Sequence, residues 1–425
     1  MNLYIIAPCR EEDIWRKKRA TFTLPPMALA ILAALTPEGF NIKVTDELVD
    51  DIDFSFPADI VALSVNTTNA FRAYEVAESF RKSGARIVMG GIHPSVMTDE
   101  SSLHTDSIVK GEAECVWAEV LNDFKNGQLK TVYECDEKPV PDTIPVPKWE
   151  FLSENKYFVP RTFQASRGCP YGCNFCSSTH FFGVKYRFRP IDRVIDEISS
   201  YPKRMVVFVD DNIVGKPEYS KELFKALKGM NKMWVAQSSI DIAKDDSLLR
   251  LAAESGCAGL LIGFESIRYG NKSDVKKLRT AEEYEEAIKT IRGYGLGIHG
   301  SFVLGFDDDD VDTFHSTVDF VLKNRLEVGN YCKLTPFPGT RLFDKMNEES
   351  RLLHRNWALY DRYNIVFQPK NFSTEDFRRL ADEAYKRTYS IPSILKRTPK
   401  VVKNIPYYYA MNLSYRFGAR ARRKS

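Results

Sequence analysis

The chain has 425 residues, of which 44% are hydrophobic and 28% charged, and its net charge is +3. This length and composition are those of a globular protein with two or three domains, each large enough for its own core. The apolar runs, such as residues 27–35, fall short of the roughly 20 residues that cross a membrane, and the opening MNLYIIAPCREED lacks the basic start of a targeting signal. We therefore expect a cytoplasmic protein.

Residues 1–135 alternate short apolar runs with amphipathic ones. The apolar runs predict buried parallel strands at LYIIA, IKVTD, DIVALSV, ARIVMGG and DSIVKG. The stretches between them predict helices at PPMALAILAAL, AFRAYEVAESFRKSG and ECVWAEVLNDFKNG. This order predicts a Rossmann-like, doubly wound parallel sheet of about five strands, which binds ligands beyond the carboxyl ends of its strands. Four prolines between Pro139 and Pro147 then predict a linker over residues 136–160.

The alternation of strands and helices resumes over residues 161–350. Six strands are predicted, at TFQASRG, RMVVFVDD, MWVAQSS, AGLLIGFES, GIHGSFVLGF and NYCKLTPF. Six such units predict a partial (β/α)6 barrel of the TIM type, with α/β architecture throughout. Residues 351–425 predict a helical C-terminal region with a basic tail, in which residues 375–390 form an amphipathic helix.

Three of the eight cysteines lie in the stretch ASRGCPYGCNFCSS, at Cys169, Cys173 and Cys176. One interpretation is a zinc site with His180 as the fourth ligand, although no second C-x2-C pair is present. Another is that the three residues are merely structural. A third is an iron–sulfur cluster, because three thiolates leave one iron of a four-iron cube without a protein ligand. The other five cysteines are dispersed, and we expect them to be thiols in a reducing compartment.

The motif CPYGCNFC resembles the signature loop of the radical S-adenosylmethionine (SAM) enzymes, C-x3-C-x-aromatic-C, with Phe175 as the aromatic residue. The resemblance implies that Cys169, Cys173 and Cys176 bind a four-iron, four-sulfur (4Fe–4S) cluster whose open iron chelates SAM. One electron, from a donor of the flavodoxin or ferredoxin type, then cleaves SAM to methionine and a 5′-deoxyadenosyl radical. The radical takes a hydrogen from a small-molecule substrate.

Other positions match this family's barrel in order. In FVDDN, Asp210 and Asp211 resemble the groups that accept hydrogen bonds from the methionine ammonium, although either acid also suits a helix cap. In GFES, Glu265 resembles the acid that holds the ribose hydroxyls, and its alternative is a solvated loop acid. Gly300, in GSFVLGF, matches the segment that packs against adenine.

The first domain, the proline linker and the turn PFPGT together resemble the cobalamin-binding branch of the radical SAM family. The resemblance implies that Ser64, in SVNT, and the pair Gly90 and Gly91 line the slot for the nucleotide tail of cobalamin. The D-x-H-x-x-G loop of many cobalamin proteins is missing, because no histidine precedes His93 and TDELVDDID occupies the expected region. Bound cobalamin and a domain that keeps only the fold, as a lid, both remain open.

The resemblance implies a methyltransferase or C–C bond-forming enzyme that acts on a lipophilic or natural-product substrate. The alternatives are a cobalamin-free radical catalyst of oxidation, cyclisation or rearrangement, and a non-catalytic iron–sulfur electron carrier. A methylthiotransferase would need three further cluster cysteines in the first domain, and Cys9, Cys115 and Cys135 fit that spacing poorly. No residue that handles the substrate can be named from the sequence.

The C-terminal segment is strongly basic. It has 11 Lys or Arg and no Asp or Glu after position 383, so the preceding residues carry a net charge of −8. Tyrosines and aliphatic residues lie between the basic ones. This pattern suits peripheral contact with an anionic membrane, stacking on RNA, or docking of the tail on the acidic body. We expect membrane contact in preference to nucleic acid.

Overall fold

The computed structural model describes residues 1–10, 13, 23–399 and 404–421. Its first domain is built on a six-stranded sheet, all parallel, in the order β2-β1-β3-β4-β5-β6. The strands are β1 (Asn2–Ala7), β2 (Asn41–Asp46), β3 (Ile60–Ser64), β4 (Arg86–Gly90), β5 (Ser107–Lys110) and β6 (Val132–Glu134). The predicted doubly wound fold is confirmed. The sequence did not predict the sixth strand, β6, because its three residues are too few to show a hydrophobic pattern.

Helices cover both faces of this sheet. They are α1 (Met27–Leu35), α2 (Ala70–Lys82), α3 (Ile92–Val96), α4 (Thr98–Ser102) and α5 (Trp117–Lys125). In β1, Leu3 packs with α1 and α5, and its neighbour Tyr4 packs with α2 on the opposite face. The strand order reverses between β1 and β3, and doubly wound sheets bind their ligands at the carboxyl edge beside this point.

The proline-rich segment packs against the first domain. It forms short 3-10 turns, and Trp149 is 2% exposed within the cluster that also contains Leu3 and α1. The amide of Lys148 donates to the carbonyl of Ala30 at 3.0 Å. The predicted boundaries of the linker and of its neighbouring domains stay predictions.

A second parallel sheet, in the order β13-β12-β11-β10-β9, curls into a half-barrel. A bridge between Phe163 and Phe208 adds the chain segment before the cysteine loop as a sixth member. The strands are β7 (Ser166–Arg167), β8 (Arg187–Phe188), β9 (Met205–Val207), β10 (Met233–Ser238), β11 (Cys257–Glu265), β12 (Gly297–Leu304) and β13 (Val328–Lys333). The predicted partial barrel is therefore confirmed. The two-residue strands β7 and β8 form a separate antiparallel pair.

Helices alternate with the strands of the half-barrel. They are α6 (Ser177–Phe182), α7 (Ile191–Ser199), α8 (Pro217–Leu227), α9 (Asp246–Glu254), α10 (Ala281–Gly293), α11 (Val311–Lys323) and α12 (Arg341–Glu348). Between sheet and helices, Phe264 stacks on Phe302 at 5.2 Å and meets Tyr284 of α10 edge-on. Because this layer is filled by apolar side chains, polar strand-end groups collect at the carboxyl rim of the barrel.

The C-terminal region returns to the first domain and then closes the barrel. Trp357 and Tyr360 are buried against the first domain, and Nε1 of Trp357 donates to Oε1 of Glu100 in α4 at 2.9 Å. The following helices are α13 (Thr374–Thr388), α14 (Ile391–Lys396) and α15 (Ile405–Ala421). In the described parts of the chain, no helix is long and apolar enough to cross a membrane.

The start of the basic tail is part of the fold. Arg397 is 1% exposed and donates to the backbone carbonyls of Leu326 and Thr388 at 2.8 and 2.7 Å. It also donates to Oδ1 of Asn412, which is fully buried in α15. The docked interpretation of the tail therefore applies to α14 and α15, while residues 422–425 lie outside the described part of the chain.

Candidate active site

The cysteine loop joins β7 to α6, and glycine makes its first bend possible. Gly168 has φ of 93°, and a Cβ atom there would lie 2.5 Å from the carbonyl oxygen of Lys185. A side chain at this position would push the loop off the neighbouring backbone. At the other end, Cys176 caps α6, since its Sγ accepts hydrogen bonds from the amide and the hydroxyl of Thr179.

The loop is braced at the carboxyl rim of the barrel. The backbone amide of Asn174 donates to the backbone carbonyl of Asp274, beyond β11. The backbone carbonyl of Asn174 accepts from the backbone amide of Leu342 in α12. The ring of Phe175 meets Phe306, just after β12, edge-on at 5.7 Å. The predicted aromatic residue therefore packs the loop against the end of the fifth strand.

The three thiols suit a cluster better than one metal ion. Among the described residues, no three Cys, His, Asp or Glu side chains lie close enough to hold a single ion, so the zinc interpretation has no support. A four-iron cube instead takes each thiolate on a different iron. Burial raises the pKa of the Cys169 thiol to about 11 and also raises that of Cys173, and the nearby Lys277 ammonium opposes both shifts.

The two predicted aspartates have different surroundings. Asp210 is fully buried and accepts hydrogen bonds from the amides of Ala165 and Ser166 and from the Ser166 hydroxyl, at 2.6 to 3.2 Å. Burial raises the pKa of Asp210 to about 6 despite these bonds. Asp210 therefore ties the strand before the cysteine loop to the end of β9.

Asp211 faces the cysteine loop. It accepts hydrogen bonds from the Ser178 side chain and from the backbone of Gly168, although burial raises its pKa. It is partly exposed, whereas Asp210 is not. Asp211 is therefore the aspartate with access to a ligand at the open side of the cluster loop.

Glu265 forms an ion pair that the sequence did not predict. Its Oε1 lies 2.9 Å from Nζ of Lys277, and their side chains are 12% and 17% exposed. Burial alone would lower the pKa of Lys277, but Glu265 reverses this effect and the pKa lies above its usual value. A Cβ atom at Gly263 would lie 2.3 Å from Oε1 and 2.7 Å from Nζ, so glycine leaves room for the pair.

The backbone directs Glu265 towards this position. Glu265 has φ of 62°, in the left-handed region that residues other than glycine seldom adopt, and the strand register shifts between Gly263 and Glu265. Such conformations persist where surrounding contacts enforce them, often at functional sites. Nothing in the sequence distinguished Lys277 from Lys272 and Lys276 in the same loop after β11.

Close packing explains why position 300 is a glycine. A Cβ atom there would lie 2.8 Å from Leu326 and 3.3 Å from Phe264, within the apolar layer between sheet and helices. The glycine therefore lets this layer close. The adenine contact stays a prediction.

A cavity of about 280 Å³ lies at the carboxyl edge of the first domain's sheet. It is lined by Ser64, Gly90 and Gly91 at the ends of β3 and β4, and by Ile31 of α1. Phe182 of α6 lines the same cavity, so the helix that follows the cysteine loop forms part of its wall. The residues predicted to line a nucleotide slot are thus brought together beside the cluster loop.

Glycine is needed at the cavity for two different reasons. Gly91 has φ of 110°, and a Cβ atom there would lie 2.6 Å from the carbonyl oxygen of Val65. At Gly90 a Cβ atom would lie 3.5 Å from Val109, an ordinary contact with another lining residue. A larger side chain at position 90 would therefore occupy the cavity, whereas one at position 91 would distort the backbone. None of residues 45–53, which include TDELVDDID, lines the cavity.

Buried ion pairs join the two domains beside this cavity. Glu112, which is 2% exposed, lies 2.6 Å from Arg167 and 2.6 Å from Arg187. Arg167 also lies 2.7 Å from Glu114. Arg167 directly precedes the cysteine loop, and Glu112, Glu114 and Arg167 all line the cavity. Sequence reasoning missed these residues, because nothing in the local pattern pairs an acid at 112 with arginines more than 50 positions away.

Two dispersed cysteines are paired. Cys115 and Cys135 form a disulfide with a Cα separation of 6.1 Å. The edge strand β6 runs beside β5 and returns Cys135 to the loop after β5. The expectation that all cysteines outside the cluster loop are free thiols is wrong for this pair.

The family model of the Radical SAM superfamily matches residues 163–321, and that of the B12 binding domain matches residues 18–121. The chain is 34% identical over 390 residues to a bacteriochlorophyllide d C-12(1)-methyltransferase of Chlorobaculum tepidum, covering 88% of this chain and 84% of that protein. It is 29% identical over 394 residues to a bacteriochlorophyllide d C-8(2)-methyltransferase of the same organism, covering 88% and 87%.

Two solved structures share the fold. The cobalamin-dependent SAM radical enzyme OxsB, with aqua-cobalamin bound, has a TM-score of 0.72 at 14% identity and covers 97% of this chain and 71% of that chain. The radical SAM methyltransferase TsrM of Kitasatospora setae, with cobalamin and an iron–sulfur cluster bound, has a TM-score of 0.66 at 17% identity, covering 82% and 78%. At these identities the likeness concerns the fold alone.

A half-barrel with a three-cysteine loop at its carboxyl rim defines a radical SAM enzyme. Within that superfamily, the chain belongs to the methyltransferases that carry a B12-binding domain. Its cofactors are a 4Fe–4S cluster, SAM and cobalamin, so the question left open by the sequence is decided in favour of cobalamin. The cavity beside Ser64, Gly90 and Gly91 is consistent with this cofactor set.

Proposed function

We propose that this methyltransferase methylates carbon in a lipophilic small molecule. One observation carries the arrangement: α6, which follows the cysteine loop, also lines the cavity of the B12-binding domain through Phe182. The SAM site at the cysteine loop and the cobalamin site in the cavity would therefore lie close together, on either side of α6. When bound, the cluster and cobalamin supply one-electron cleavage of SAM and methyl transfer.

The chain's own residues have separate tasks in this proposal. Cys169, Cys173 and Cys176 hold three irons, and Phe175 fixes the loop against Phe306. Asp211 accepts hydrogen bonds from the methionine ammonium, because it is the partly exposed aspartate beside the loop. Asp210 positions the strand before the loop.

We assign the ribose of SAM to Glu265. Lys277 holds Oε1 of this carboxylate at 2.9 Å, and the carboxylate would accept hydrogen bonds from the ribose hydroxyls. A carboxylate fixed by a buried ammonium is already oriented, so binding does not have to restrict its rotation. Ser64 and Gly90 line the slot for the cobalamin tail, and Gly91 keeps the backbone close to Val65.

The substrate class is inferred from two relatives. Both Chlorobaculum tepidum relatives are methyltransferases of bacteriochlorophyllide d, and they match this chain over most of its length. We propose a substrate of that chemical kind, a lipophilic ring molecule. Cleavage of SAM also requires an electron, for which we propose a donor of the flavodoxin or ferredoxin type. We further propose that the basic C-terminal region makes peripheral contact with a membrane.

The cluster assignment is tested by alanine substitution of Cys169, Cys173 and Cys176, one at a time, under anaerobic conditions. Wild-type protein should take up about four irons per chain, and each variant should lose the visible spectrum of the intact cluster. Cys9→Ala is the matched control, since Cys9 is a buried cysteine outside the loop and should leave the spectrum unchanged. Retention of the spectrum by all three variants would refute the assignment.

The reaction is tested with SAM carrying an isotopically labelled methyl group, a reductant, cobalamin and a chlorophyllide as substrate. The expected product is the substrate with one labelled methyl group, measured by mass spectrometry. Formation of 5′-deoxyadenosine and an unlabelled, oxidised or cyclised product would contradict methyl transfer. It would favour the radical oxidation or cyclisation alternative.

A further inference from the structure

The C-terminal helix α15 presents an apolar stripe to solvent. The stripe consists of Pro406, Ala410, Leu413 and Phe417, which are exposed and spaced at i, i+4, i+7 and i+11. Leu413 is 38% exposed and Phe417 is 62% exposed. At a rise of about 1.5 Å per residue the stripe is about 17 Å long.

The opposite face of α15 is fixed to the barrel. Tyr408 is 3% exposed and Asn412 is fully buried. The Asn412 amide donates to the carbonyl of Glu327 at 3.0 Å, and Arg416 donates to the carbonyl of Tyr389 at 2.8 Å. These bonds set the rotation of the helix, so the stripe faces outward in the folded protein.

The adjacent helix α14 also exposes apolar side chains. Ile391 is 46% exposed and Leu395 is 60% exposed, one helical turn apart. The Tyr408 hydroxyl of α15 donates to the carbonyl of Ile394, which keeps the two helices side by side. We call the exposed apolar residues of both helices the C-terminal apolar surface: Ile391, Leu395, Pro406, Tyr407, Ala410, Leu413 and Phe417.

The basic residues of the C-terminal segment indicate what kind of partner this surface binds. All 11 charged side chains after position 383 are Lys or Arg, and the sequence after the stripe continues with RARRK at positions 420–424. Two of the 11, Arg397 and Arg387, are occupied within the fold, by burial and by an ion pair with Asp319. An apolar helix face flanked by basic residues is typical of helices that lie in the interface of an anionic bilayer. A second copy of this chain would instead bring two equally basic segments together, and their repulsion opposes such a dimer.

We propose that the C-terminal apolar surface binds the interface of an anionic lipid bilayer, with Leu413 and Phe417 inserted among the acyl chains. This inference deepens the peripheral contact proposed above. Since α15 is fixed to the half-barrel, the membrane would hold the enzyme in one orientation. A lipophilic substrate could then pass from the bilayer to the enzyme without crossing water.

The test uses full-length wild-type protein and vesicles of phosphatidylcholine with or without phosphatidylglycerol. Leu413→Gln combined with Phe417→Gln removes apolar contact without altering charge. The matched control is Leu103→Gln combined with Phe71→Gln, which changes the same two residue types at exposed positions of the first domain. Vesicle binding is measured by flotation, without SAM or substrate, so its outcome does not depend on the methyl-transfer proposal.

We expect binding to anionic vesicles that weakens with salt, a loss of at least about tenfold in the stripe variant, and no loss in the control. Equal binding by the stripe variant and the wild type would overturn the proposal, as would equal binding to vesicles that lack phosphatidylglycerol. A wild-type dimer in lipid-free solution that the stripe variant converts to a monomer would assign the surface to a second copy. Binding to RNA in place of vesicles would also overturn it.

Discussion

Replacement of Glu112 by Gln tests whether the buried ion pairs hold the two domains together. Glu112 is 2% exposed and lies 2.6 Å from each of Arg167 and Arg187. Gln has nearly the same size and keeps one acceptor oxygen, but it removes the negative charge. Removing one partner of a buried pair costs about 3 to 5 kcal/mol, because the other charge stays buried without compensation.

The lower end of this range applies here, because part of the network survives. Glu114 still compensates Arg167 at 2.7 Å. Arg187 keeps hydrogen bonds to the carbonyls of Pro139 and Phe182, at 2.7 and 3.1 Å. We therefore expect a loss of about 3 kcal/mol in the free energy of unfolding. Since Glu112 and Arg167 line the cavity, cobalamin affinity should fall as well.

The assay is anaerobic urea unfolding followed by tryptophan fluorescence, together with a cobalamin titration. Glu254→Gln is the matched control, because its partner Lys228 lies at a similar distance, 2.8 Å, but both side chains are exposed. That control should leave the unfolding midpoint unchanged. If Glu112→Gln unfolds and binds cobalamin like the control, the ion pairs do not join the domains.

Three further changes follow from the same contacts. Glu265→Gln should leave the cluster spectrum unchanged and weaken SAM binding by roughly 1 to 3 kcal/mol, measured by calorimetry, and unaltered affinity would return Glu265 to a structural role. Gly90→Leu should abolish cobalamin uptake without unfolding the protein, because the new side chain would occupy the cavity without clashing with the backbone. Normal uptake would contradict the assignment of the cavity to cobalamin. Truncation after Ser390 should reduce solubility, because it removes Arg397 with its hydrogen bonds to five backbone and side-chain acceptors, and a soluble, cluster-loaded product would show that the tail is dispensable.

Much of this protein could be predicted from local patterns. The apolar runs placed the principal strands of both sheets, because a strand buried on both faces must be apolar along its length. The spacing of Cys169, Cys173 and Cys176 on a glycine-containing loop indicated a cluster, since one short loop has to reach three irons. Ser64, Gly90 and Gly91 were named from the resemblance to cobalamin-binding domains; the structure places all three at one cavity, and their contact with the cobalamin tail stays a prediction.

The choice between equivalent residues needed the tertiary structure. The sequence could not separate Asp210 from Asp211, because both follow the same strand. Only the folded chain shows that Asp210 is enclosed by the amides of Ala165 and Ser166, while Asp211 faces the loop. Likewise, Gly300 is explained by contact with Leu326, a residue on a different element.

Long-range pairing was beyond the sequence for a physical reason. Hydrophobic periodicity reports which side of an element is buried, but not which charged groups meet across a domain interface. The pairs of Glu112 with Arg167 and Arg187, and of Glu265 with Lys277, join residues far apart in the sequence or separated by an irregular loop. The tail shows the same limit: its basic composition was visible in the sequence, but the burial of Arg397 depends on carbonyl groups that only the folded barrel brings together.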